Sequence, residues 1–524
     1  MNYVLTIDEG TTSTRALLIS AEGAILDIVQ KDITQHYPQA GWVEHDPLEI
    51  WTKTLACCRE IISKNLSTNK ITQDSITSIA ITNQRETSII WDPRTGKPVY
   101  NAIVWQCRRT AERCEELKKT KISGINFTDY IKSKTGLLID AYFSATKIEW
   151  ILNAISSLRG AAGDVAISLR HDGLIFGTVD TWLIWNLTLG REHLTDASNA
   201  SRTMLYDIHE DKWDAEILKH LNISPNILPK VIESNGDFGS SSLFSDLLGR
   251  ELPIKAVLGD QQAAFYAYNG AAKCTYGTGT FVMLPAPSLR GGRSPTWQSI
   301  HQEEEQSKLH VGSERDTMSF SITHDNEGLL KSSGYRSSSA KALVLEGSIF
   351  VGGSIVQWLR DEMKFIDKSS DIEALANTVT DNGGVYLIPA LAGLGAPYWR
   401  SDVRGTIFGM TRGTNKAHIA RAALESIAYR VRDVMEALDP KLRTKITQLN
   451  VDGGASKNDM LMQFQADLLQ IPVQRYTETE MTALGVAKMT GEVKLELQAE
   501  RVFQPQTNLD ENYKAWKQYV KKLL

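Results

Sequence analysis

A polar turn rich in glycine and threonine occurs once in each half of this chain, beside strand-forming residues. The first is Asp8–Ser13, after the apolar run Tyr3–Ile7, and the second lies within residues 274–282. Such a turn points backbone N–H groups and hydroxyls at one spot, where phosphate oxygens can accept hydrogen bonds. A hairpin turn explains either one alone equally well. Their occurrence in both halves favours a shared function and predicts two similarly built domains.

The length of 524 residues also favours two large domains, since a single core rarely grows so large. Apolar runs predict strands at 3–7, 16–19, 25–29, 78–81 and 446–451. A helix is predicted after Asp46, with Pro47 first and Glu49 third in a capping box. Strands that alternate with helices indicate an α/β protein.

The stretch from Pro285 to Ser339 differs from the rest of the chain. It is polar and rich in serine, and it contains three consecutive acidic residues at 303–305. Such composition predicts a surface loop, partly disordered, with order resuming at Leu345.

Charge and composition exclude several classes of protein. The formal net charge of −5 argues against a broad nucleic-acid surface, which needs basic residues. No apolar run approaches the length of a membrane span, and the N-terminus does not resemble a signal peptide. The five cysteines form no Cys-x-x-Cys pair, so we expect reduced thiols in a cytoplasmic protein.

Several polar residues beside predicted strands are candidates for chemistry, although each alone is more often a surface or ion-paired residue. Asp8 ends the first strand, where a carboxylate can hold Mg²⁺ through water. Asp260 follows another strand and is the candidate base for an acceptor hydroxyl. The candidate hydroxyl partners and aromatic wall for a polyol are Arg85, Glu86, Trp105 and Tyr142.

A pair of glycines, Gly453 and Gly454, lies between a predicted strand and a predicted helix. Without Cβ atoms the backbone there can approach an adenine ring, although such pairs more often serve close packing. The sequence has neither a Walker A motif nor Gly-x-Gly-x-x-Gly. If the protein binds ATP, it does not use a P-loop or a dinucleotide fingerprint.

The chain resembles the FGGY family of carbohydrate kinases over nearly its whole length. The motifs that resemble the glycerol-phosphorylating branch of that family are residues 7–13, 41–47, 81–87, 198–204, 259–262 and 393–399. Residues 405–425 match the second family signature, and 142–153 match most of the first.

The resemblance implies an α/β fold of two actin-like, RNase-H-type domains with a cleft between them. It implies an N-terminal domain at 1–268 and a C-terminal nucleotide domain at 269–524, with a polar insertion at about 285–318. The implied activity is transfer of the ATP γ-phosphoryl group to glycerol with Mg²⁺, giving sn-glycerol 3-phosphate in glycerol uptake and catabolism. A homodimer or homotetramer is the implied assembly.

The resemblance also assigns site residues. It implies a glycerol site made of Arg85, Glu86, Trp105, Tyr142, Asp260, Gln261 and Phe281. It implies ATP contacts from Thr11, Thr12, Ser13, Arg15, Thr278, Gly353, Gln357, Gly454 and Asn458. Asp260 is the implied catalytic base, and the metal is implied to bind Asp8 through water and Asp260.

Departures from the family pattern keep two other hypotheses open. Glu9 stands where the family usually has Gln, which adds a negative charge near the phosphates, and Cys107 replaces an Asp beside Arg108 and Arg109. These departures motivate a catalytically weakened kinase fold that serves as a binding protein. The other hypothesis is a related kinase for another polyol or sugar, against which the Arg85–Glu86 pair argues.

Overall fold

The computed structural model describes residues 1–160, 173–286, 328–337 and 340–524, with backbone only at 156–160. Most of the predicted polar insertion at about 285–318 lies outside the described residues. The described chain is mixed α/β and divides into two compact units. Unit 1 comprises Met1–Ala267, Lys331–Val344 and Met481–Glu496, and unit 2 comprises the remaining residues.

The strands of the described chain, in order, are β1 Tyr3–Glu9, β2 Ser13–Ser20, β3 Ile25–Asp32, β4 Glu44–His45, β5 Ile76–Asn83, β6 Ile89–Asp92, β7 Lys97–Pro98, β8 Ala102–Ile103, β9 Lys121–Ile122, β10 Ile125–Asn126, β11 Ile175–Gly177, β12 Leu194–Asp196, β13 Tyr206–Asp207, β14 Lys212–Trp213, β15 Lys230–Ile232, β16 Ser240–Ser241, β17 Leu252–Gly259, β18 Lys273–Tyr276, β19 Thr280–Pro285, β20 Leu330–Arg336, β21 Lys341–Ile349, β22 Tyr386–Ile388, β23 Thr406–Phe408, β24 Leu449–Asp452, β25 Val473–Tyr476 and β26 Ala499–Phe503.

The α-helices of the described chain are α1 Pro47–Ser67, α2 Ala111–Leu117, α3 Phe127–Thr135, α4 Ser144–Gly160, α5 Val179–Leu187, α6 Ala197–Ala200, α7 Ala215–His220, α8 Ser245–Leu248, α9 Asp260–Ala267, α10 Ser354–Asp361, α11 Ile372–Ala376, α12 Lys416–Glu436, α13 Pro440–Arg443, α14 Asp459–Leu469, α15 Met481–Met489 and α16 Asp510–Lys521. Short 3₁₀ helices occur at Pro225–Ile227, Ser369–Asp371 and Gly454–Lys457.

The central sheet of each unit follows the same plan. In unit 1 the order is β16-β17-β5-β1-β2-β3, and the strands of unit 2 include the neighbours β19-β18-β24-β25-β26 in that order. A hairpin (β1–β2 or β18–β19) is antiparallel, and its first strand pairs in parallel with a later one (β5 or β24). Each Gly/Thr turn predicted from the sequence connects the two strands of such a hairpin.

The unit 1 sheet is covered by apolar side chains from helix α1. Ile50, Cys57, Ile61 and Ile62 of α1 are fully buried in a core that includes Leu5 and other residues of the central strands. At about 25 cal/mol per Å² of apolar area, such burial is the main driving force for docking this helix. All five cysteines of the chain are buried free thiols.

The start of helix α1 corrects one local prediction. Asp46 caps the helix, and Pro47 is its first residue, as predicted. However, the Asp46 carboxylate accepts from the N–H of Leu48, while the Glu49 carboxylate accepts from Thr34 and pairs with Lys53. The predicted capping box is therefore wrong, because Glu49 has stronger donors within reach than the N-cap backbone.

The predicted loop from Pro285 to Ser339 is also wrong in part, because it contains strand β20. The hydroxyl-bearing residues Ser332 and Ser333 are fully buried in that strand. Serine-rich composition favoured a loop, but here the serines face the interior of the fold. None of the helices in the described part of the chain combines the length and apolar character that crossing a bilayer requires.

Candidate functional site

Unit 1 gathers its candidate residues at one edge of its central sheet. Strands β1, β5 and β17 are parallel neighbours, so their carboxyl ends meet at that edge. Asp8 lies near the end of β1, and Arg85 and Glu86 follow β5. Asp260 begins helix α9 directly after β17. In open α/β sheets ligands bind at this edge.

Arg85 and Asp260 form the centre of this cluster. The Arg85 Nε lies 3.1 Å from Asp260 Oδ1, and the Arg85 side chain is 2% exposed while that of Asp260 is 31% exposed. Arg85 also donates to Gln262 at 3.1 Å and to the Tyr142 hydroxyl at 3.5 Å. A Cβ on Gly259 would come within 2.7 Å of the Arg85 Cδ, so only glycine leaves room for this guanidinium. The structure thus brings together three of the predicted glycerol residues.

Glu86 is held by a buried arginine that our sequence reasoning did not select. The Arg202 Nε donates to Glu86 Oε1 at 2.6 Å, and both side chains are at most 2% exposed. Glu86 has a φ of 63°, an uncommon backbone conformation for a residue with a side chain. The carbonyl of Glu86 accepts from the Ser144 hydroxyl at 3.0 Å. The only sequence feature that could have indicated a role for Arg202 is its place in the 198–204 motif.

Lys147 is a second buried cation that our sequence reasoning missed. Its Nζ donates to the backbone carbonyls of Tyr142 and Phe143, so it fixes the segment that carries Tyr142. Burial lowers the pKa of Lys147 to about 8, against the opposing charge of Glu86. The only sequence signal was its place in the 142–153 signature.

Trp105 connects the predicted glycerol wall to the first Gly/Thr turn. Its ring is 9% exposed and lies edge-on to Tyr142, with 5.7 Å between centroids. Its indole Nε1 donates to the Thr11 hydroxyl at 2.9 Å. Gln261 is 5% exposed, and its backbone N–H donates to Asp260 at 2.7 Å. Phe281, the other predicted wall residue, is a buried residue of β19 in unit 2.

The first turn is held by several hydrogen bonds to its carbonyls. The Ser13 carbonyl accepts from Gly10 at 3.0 Å, and the Thr12 carbonyl accepts from the Ile33 N–H at 2.8 Å. On the adjoining strands, Arg15 pairs with the carboxylate of Asp8, which is 3% exposed. This turn therefore has a fixed shape and a cation beside it.

Unit 2 carries the second turn, Gly277–Gly279, against the start of helix α10. The N–H of Gly352 donates to the Thr278 carbonyl at 2.9 Å, and that of Gly353 donates to Gly277 at 2.8 Å. A Cβ on Gly352 would lie 2.3 Å from the Thr280 hydroxyl, so this close approach requires glycine. Gln357, another predicted ATP residue, lies exposed on α10.

The other predicted nucleotide residues of unit 2 follow strand β24. Gly454 begins the short helix Gly454–Lys457 and is exposed, with open space where a side chain would lie. Asn458 caps helix α14, accepting from the Leu461 N–H at 2.8 Å. Gly454 thus leaves open space beside the backbone, as an approaching flat ring would need, whereas a Cβ on Gly453 would lie 2.7 Å from the Tyr276 carbonyl oxygen, so Gly453 serves close packing.

Comparisons with known proteins identify the family. The N-terminal domain of the FGGY family of carbohydrate kinases matches residues 3–266, and its C-terminal domain matches residues 317–491. This chain belongs to the FGGY family of carbohydrate kinases. The predictions of this family and of its α/β fold are therefore confirmed.

Relatives of this FGGY kinase cover its whole length. It is 44% identical to a glycerol kinase of Clostridium beijerinckii over 99% of this chain and 98% of that protein. It is also 44% identical to glycerol kinase 2 of Thermotoga maritima over 100% and 99% of the two chains. Plasmodium falciparum glycerol kinase with ADP is similar in structure, with a TM-score of 0.79, 32% identity, and coverage of 100% and 98%.

Glu9 is fully buried at the end of strand β1. Burial raises the pKa of Glu9 to about 8, although hydrogen bonds from Thr14 and Thr54 oppose the shift. At neutral pH the side chain therefore keeps its proton and resembles glutamine in charge. The expectation that Glu9 adds a negative charge near the phosphates is wrong at neutral pH, because burial favours the uncharged form.

The cysteine at position 107 leaves neither neighbouring arginine without a carboxylate partner. Arg108 pairs with Asp140 at 2.7 Å, and Arg109 pairs with Glu44 at 2.6 Å. The Arg109 Nε also lies 3.1 Å from the Cys107 sulfur. Both arginines of this FGGY kinase thus have carboxylate partners even though position 107 does not provide one.

Proposed function

We propose that this chain transfers the γ-phosphoryl group of ATP to glycerol, giving sn-glycerol 3-phosphate and ADP in glycerol uptake and catabolism. The observation that carries the proposal is the cluster of Arg85, Glu86, Tyr142 and Asp260 at one edge of the unit 1 sheet. The full-length relatives named glycerol kinase support the choice of acceptor.

Glycerol fits this cluster because it needs both donors and acceptors for its hydroxyls. The Arg85 guanidinium donates, while the carboxylates of Glu86 and Asp260 accept. Trp105 provides an apolar face for the carbon chain. The buried Arg202 donates to Glu86 at 2.6 Å and keeps that carboxylate in place, so the Glu86 oxygens are positioned before glycerol binds.

Asp260 acts as the general base. It accepts the proton of the terminal hydroxyl, whose oxygen forms a bond to the γ-phosphorus while the bond from that phosphorus to the β-γ bridging oxygen breaks. ADP takes the electron pair of the broken bond. The 31% exposure of the Asp260 side chain leaves it accessible, and Arg85 at 3.1 Å fixes its orientation.

Candidate nucleotide residues occur in each unit. In unit 1 the turn Thr11–Ser13 and Arg15 supply N–H groups, hydroxyls and a positive charge for the phosphates. In unit 2 the expected ATP contacts are Thr278, Gly353, Gln357, Gly454 and Asn458, and Phe281 of that unit remains a candidate glycerol residue. We retain domains 1–268 and 269–524 as the acceptor and nucleotide halves.

Magnesium fits the acids at the unit 1 sheet edge. In the described residues there is no group of three His, Cys, Asp or Glu side chains that could hold a metal. Mg²⁺ commonly binds one or two carboxylates together with substrate phosphates and water. Asp8, through water, and Asp260 are the residues that would hold it, and it would supply positive charge that offsets the charge of the phosphates.

We retain a cytoplasmic homodimer or homotetramer as the expected form of the protein.

Replacing the proposed base tests this mechanism. Asp260→Asn keeps the shape but cannot take the proton, so we expect kcat to fall by roughly 10²–10⁴ with little change in stability. The measurement is glycerol-dependent ADP release, with the product identified as sn-glycerol 3-phosphate by a stereospecific dehydrogenase. Asp246→Asn, at an exposed ion pair of the same unit, is the matched control. Turnover at the wild-type rate in Asp260→Asn would remove Asp260 from the role of base.

A further inference from the structure

The motif Gly41–Pro47 marks the chain as a relative of glycerol kinases, yet the proposed mechanism leaves it unused. Within this motif His45 lies on strand β4 and is fully buried. Its Nε2 is 2.9 Å from the side-chain oxygen of Gln35. That glutamine is half-buried and follows strand β3.

The hydrogen-bond pattern determines the orientation of both side chains. The Gln35 amide nitrogen donates to the carbonyl oxygens of Thr11 at 2.8 Å and Ile33 at 3.2 Å, which uses both of its hydrogens. The amide oxygen can only accept, so the Nε2 of His45 carries the hydrogen. Burial lowers the pKa of His45 to about 4, so the ring is neutral at pH 7 and this hydrogen bond is retained.

This arrangement ties down the carbonyls of the first Gly/Thr turn. The Thr11 carbonyl accepts from Gln35, the Thr12 carbonyl from Ile33, and the Ser13 carbonyl from Gly10. A peptide unit is planar and trans, so its N–H points opposite to its C=O. A carbonyl held by Gln35 therefore directs the N–H of Thr12 away from Gln35.

The electrostatic consequence concerns phosphate binding. Phosphate oxygens accept hydrogen bonds and repel carbonyl oxygens, so an anion site must present N–H groups and turn its carbonyls away. We propose that Gln35, supported by His45, is a positioning residue that holds the Thr11 carbonyl away from the nucleotide phosphates. This inference rests on the proposed function, which assigns Thr11–Ser13 to the phosphates.

The test compares KM for ATP with KM for glycerol, so that a loss of nucleotide binding is distinguished from a loss of folding. Gln35→Met keeps the length of the side chain but cannot hydrogen-bond, so we expect KM for ATP to rise about 5- to 10-fold. KM for glycerol should change less than about 2-fold, because Gln35 bonds to Thr11, Ile33 and His45 rather than to the Arg85 and Asp260 side chains. Gln35→Glu keeps an acceptor for His45 but loses the donor, and should raise KM for ATP further. Gln73→Met, which removes a similar side-chain bond to a backbone carbonyl at Leu247, is the matched control.

His45→Gln provides a second, independent variant. It should raise KM for ATP in the same direction but less, and its effect should not add to that of Gln35→Met, because both act through one carbonyl. An unchanged KM for ATP in folded Gln35→Met would overturn the inference. So would equal increases in KM for ATP and glycerol.

A turn variant distinguishes this failure from failure of the proposed function. Thr12→Val alters the turn itself and should raise KM for ATP if the turn binds phosphate. Impaired Thr12→Val beside unimpaired Gln35→Met would overturn only the positioning role. Thr12→Val with wild-type KM for ATP would instead remove the turn from the nucleotide site, and the inference with it.

Discussion

The two Gly/Thr turns occupy equivalent places in two similar sheets, but they are held by different means. The first is held by backbone N–H groups and also by side chains from neighbouring segments, since Gln35 and Trp105 both donate to Thr11. Backbone N–H groups brace the second, since Gly352 and Gly353 donate directly to its carbonyls. The shape of the first turn therefore depends in part on the side chains of Gln35 and Trp105. The shape of the second depends on Gly352, where a side chain would block the close approach of the two backbone segments. Similar local sequence can therefore hide opposite sensitivities to mutation.

The two turns also differ in whether titratable side chains lie near them. The glycerol cluster lies beside the first turn. Beside this cluster lies the fully buried Lys147, whose pKa burial lowers to about 8. The bonds that hold the second turn are made by peptide groups, which do not titrate. We therefore expect dependence on pH to arise mainly beside the first turn.

The largest effect is expected at the second turn. Gly352→Ala would place a Cβ 2.3 Å from the Thr280 hydroxyl and 3.0 Å from the Gly279 carbonyl, so the turn must shift. Overpacking of this kind costs about 1–3 kcal/mol, and we expect kcat/KM for ATP to fall at least about 10-fold. Steady-state kinetics at saturating glycerol measures it.

Gly413→Ala is the control for this experiment, because its added Cβ would meet only the Thr411 hydroxyl at 3.8 Å. A Gly352→Ala enzyme with normal kinetics would show that close backbone approach does not shape the second turn.

A smaller effect is expected at the first turn. Trp105→Phe keeps an aromatic wall but removes the 2.9 Å hydrogen bond to the Thr11 hydroxyl. A hydrogen bond of this type contributes about 0.5–1.5 kcal/mol, so kcat/KM for ATP should fall by about 2- to 10-fold. Titrating ATP at saturating glycerol measures this loss.

Trp213→Phe removes a comparable indole bond, to Pro229, elsewhere in unit 1 and should leave kinetics unchanged. If Trp105→Phe affected KM for glycerol alone, the indole would serve only as a wall.

The smallest effect concerns pH. The pKa of Lys147 is about 8 in the folded protein, below its ordinary value of 10.5, so the unfolded chain binds more protons between these values. Stability therefore rises with pH in that window. From pH 7 to pH 9 the wild type should gain about 1.3 kcal/mol relative to Lys147→Met, measured by urea unfolding at each pH.

Lys118→Met, at an exposed ion pair with Glu115, should follow the wild type across the same range. Parallel pH profiles for wild type and Lys147→Met would mean that burial of this amine does not perturb its protonation.

The sequence predicted what depends on neighbours along the chain. The hairpin of β1 and β2 and the start of helix α1 follow from apolar periodicity, glycine and a capping residue, all within a few positions. The placement of Arg85 and Asp260 was also accessible, because both follow strands that end at one edge of the sheet.

The missed residues depend on contacts between distant parts of the chain. Arg202 lies 116 positions from Glu86, and Gln35 lies 24 positions from Thr11. No local pattern indicates such partners. The charge of Glu9 was misjudged for the same reason, since its burial depends on the packing of helix α1 against the sheet.

The most direct test of the proposed function compares acceptors. Purified protein with Mg²⁺ and ATP is assayed for ADP release with glycerol, xylulose, ribulose, gluconate, erythritol and no acceptor. We predict turnover with glycerol well above that with every other acceptor. Faster turnover with another acceptor would contradict glycerol as the substrate. No turnover with any acceptor, in folded protein, would contradict kinase activity and support the weakened-kinase hypothesis.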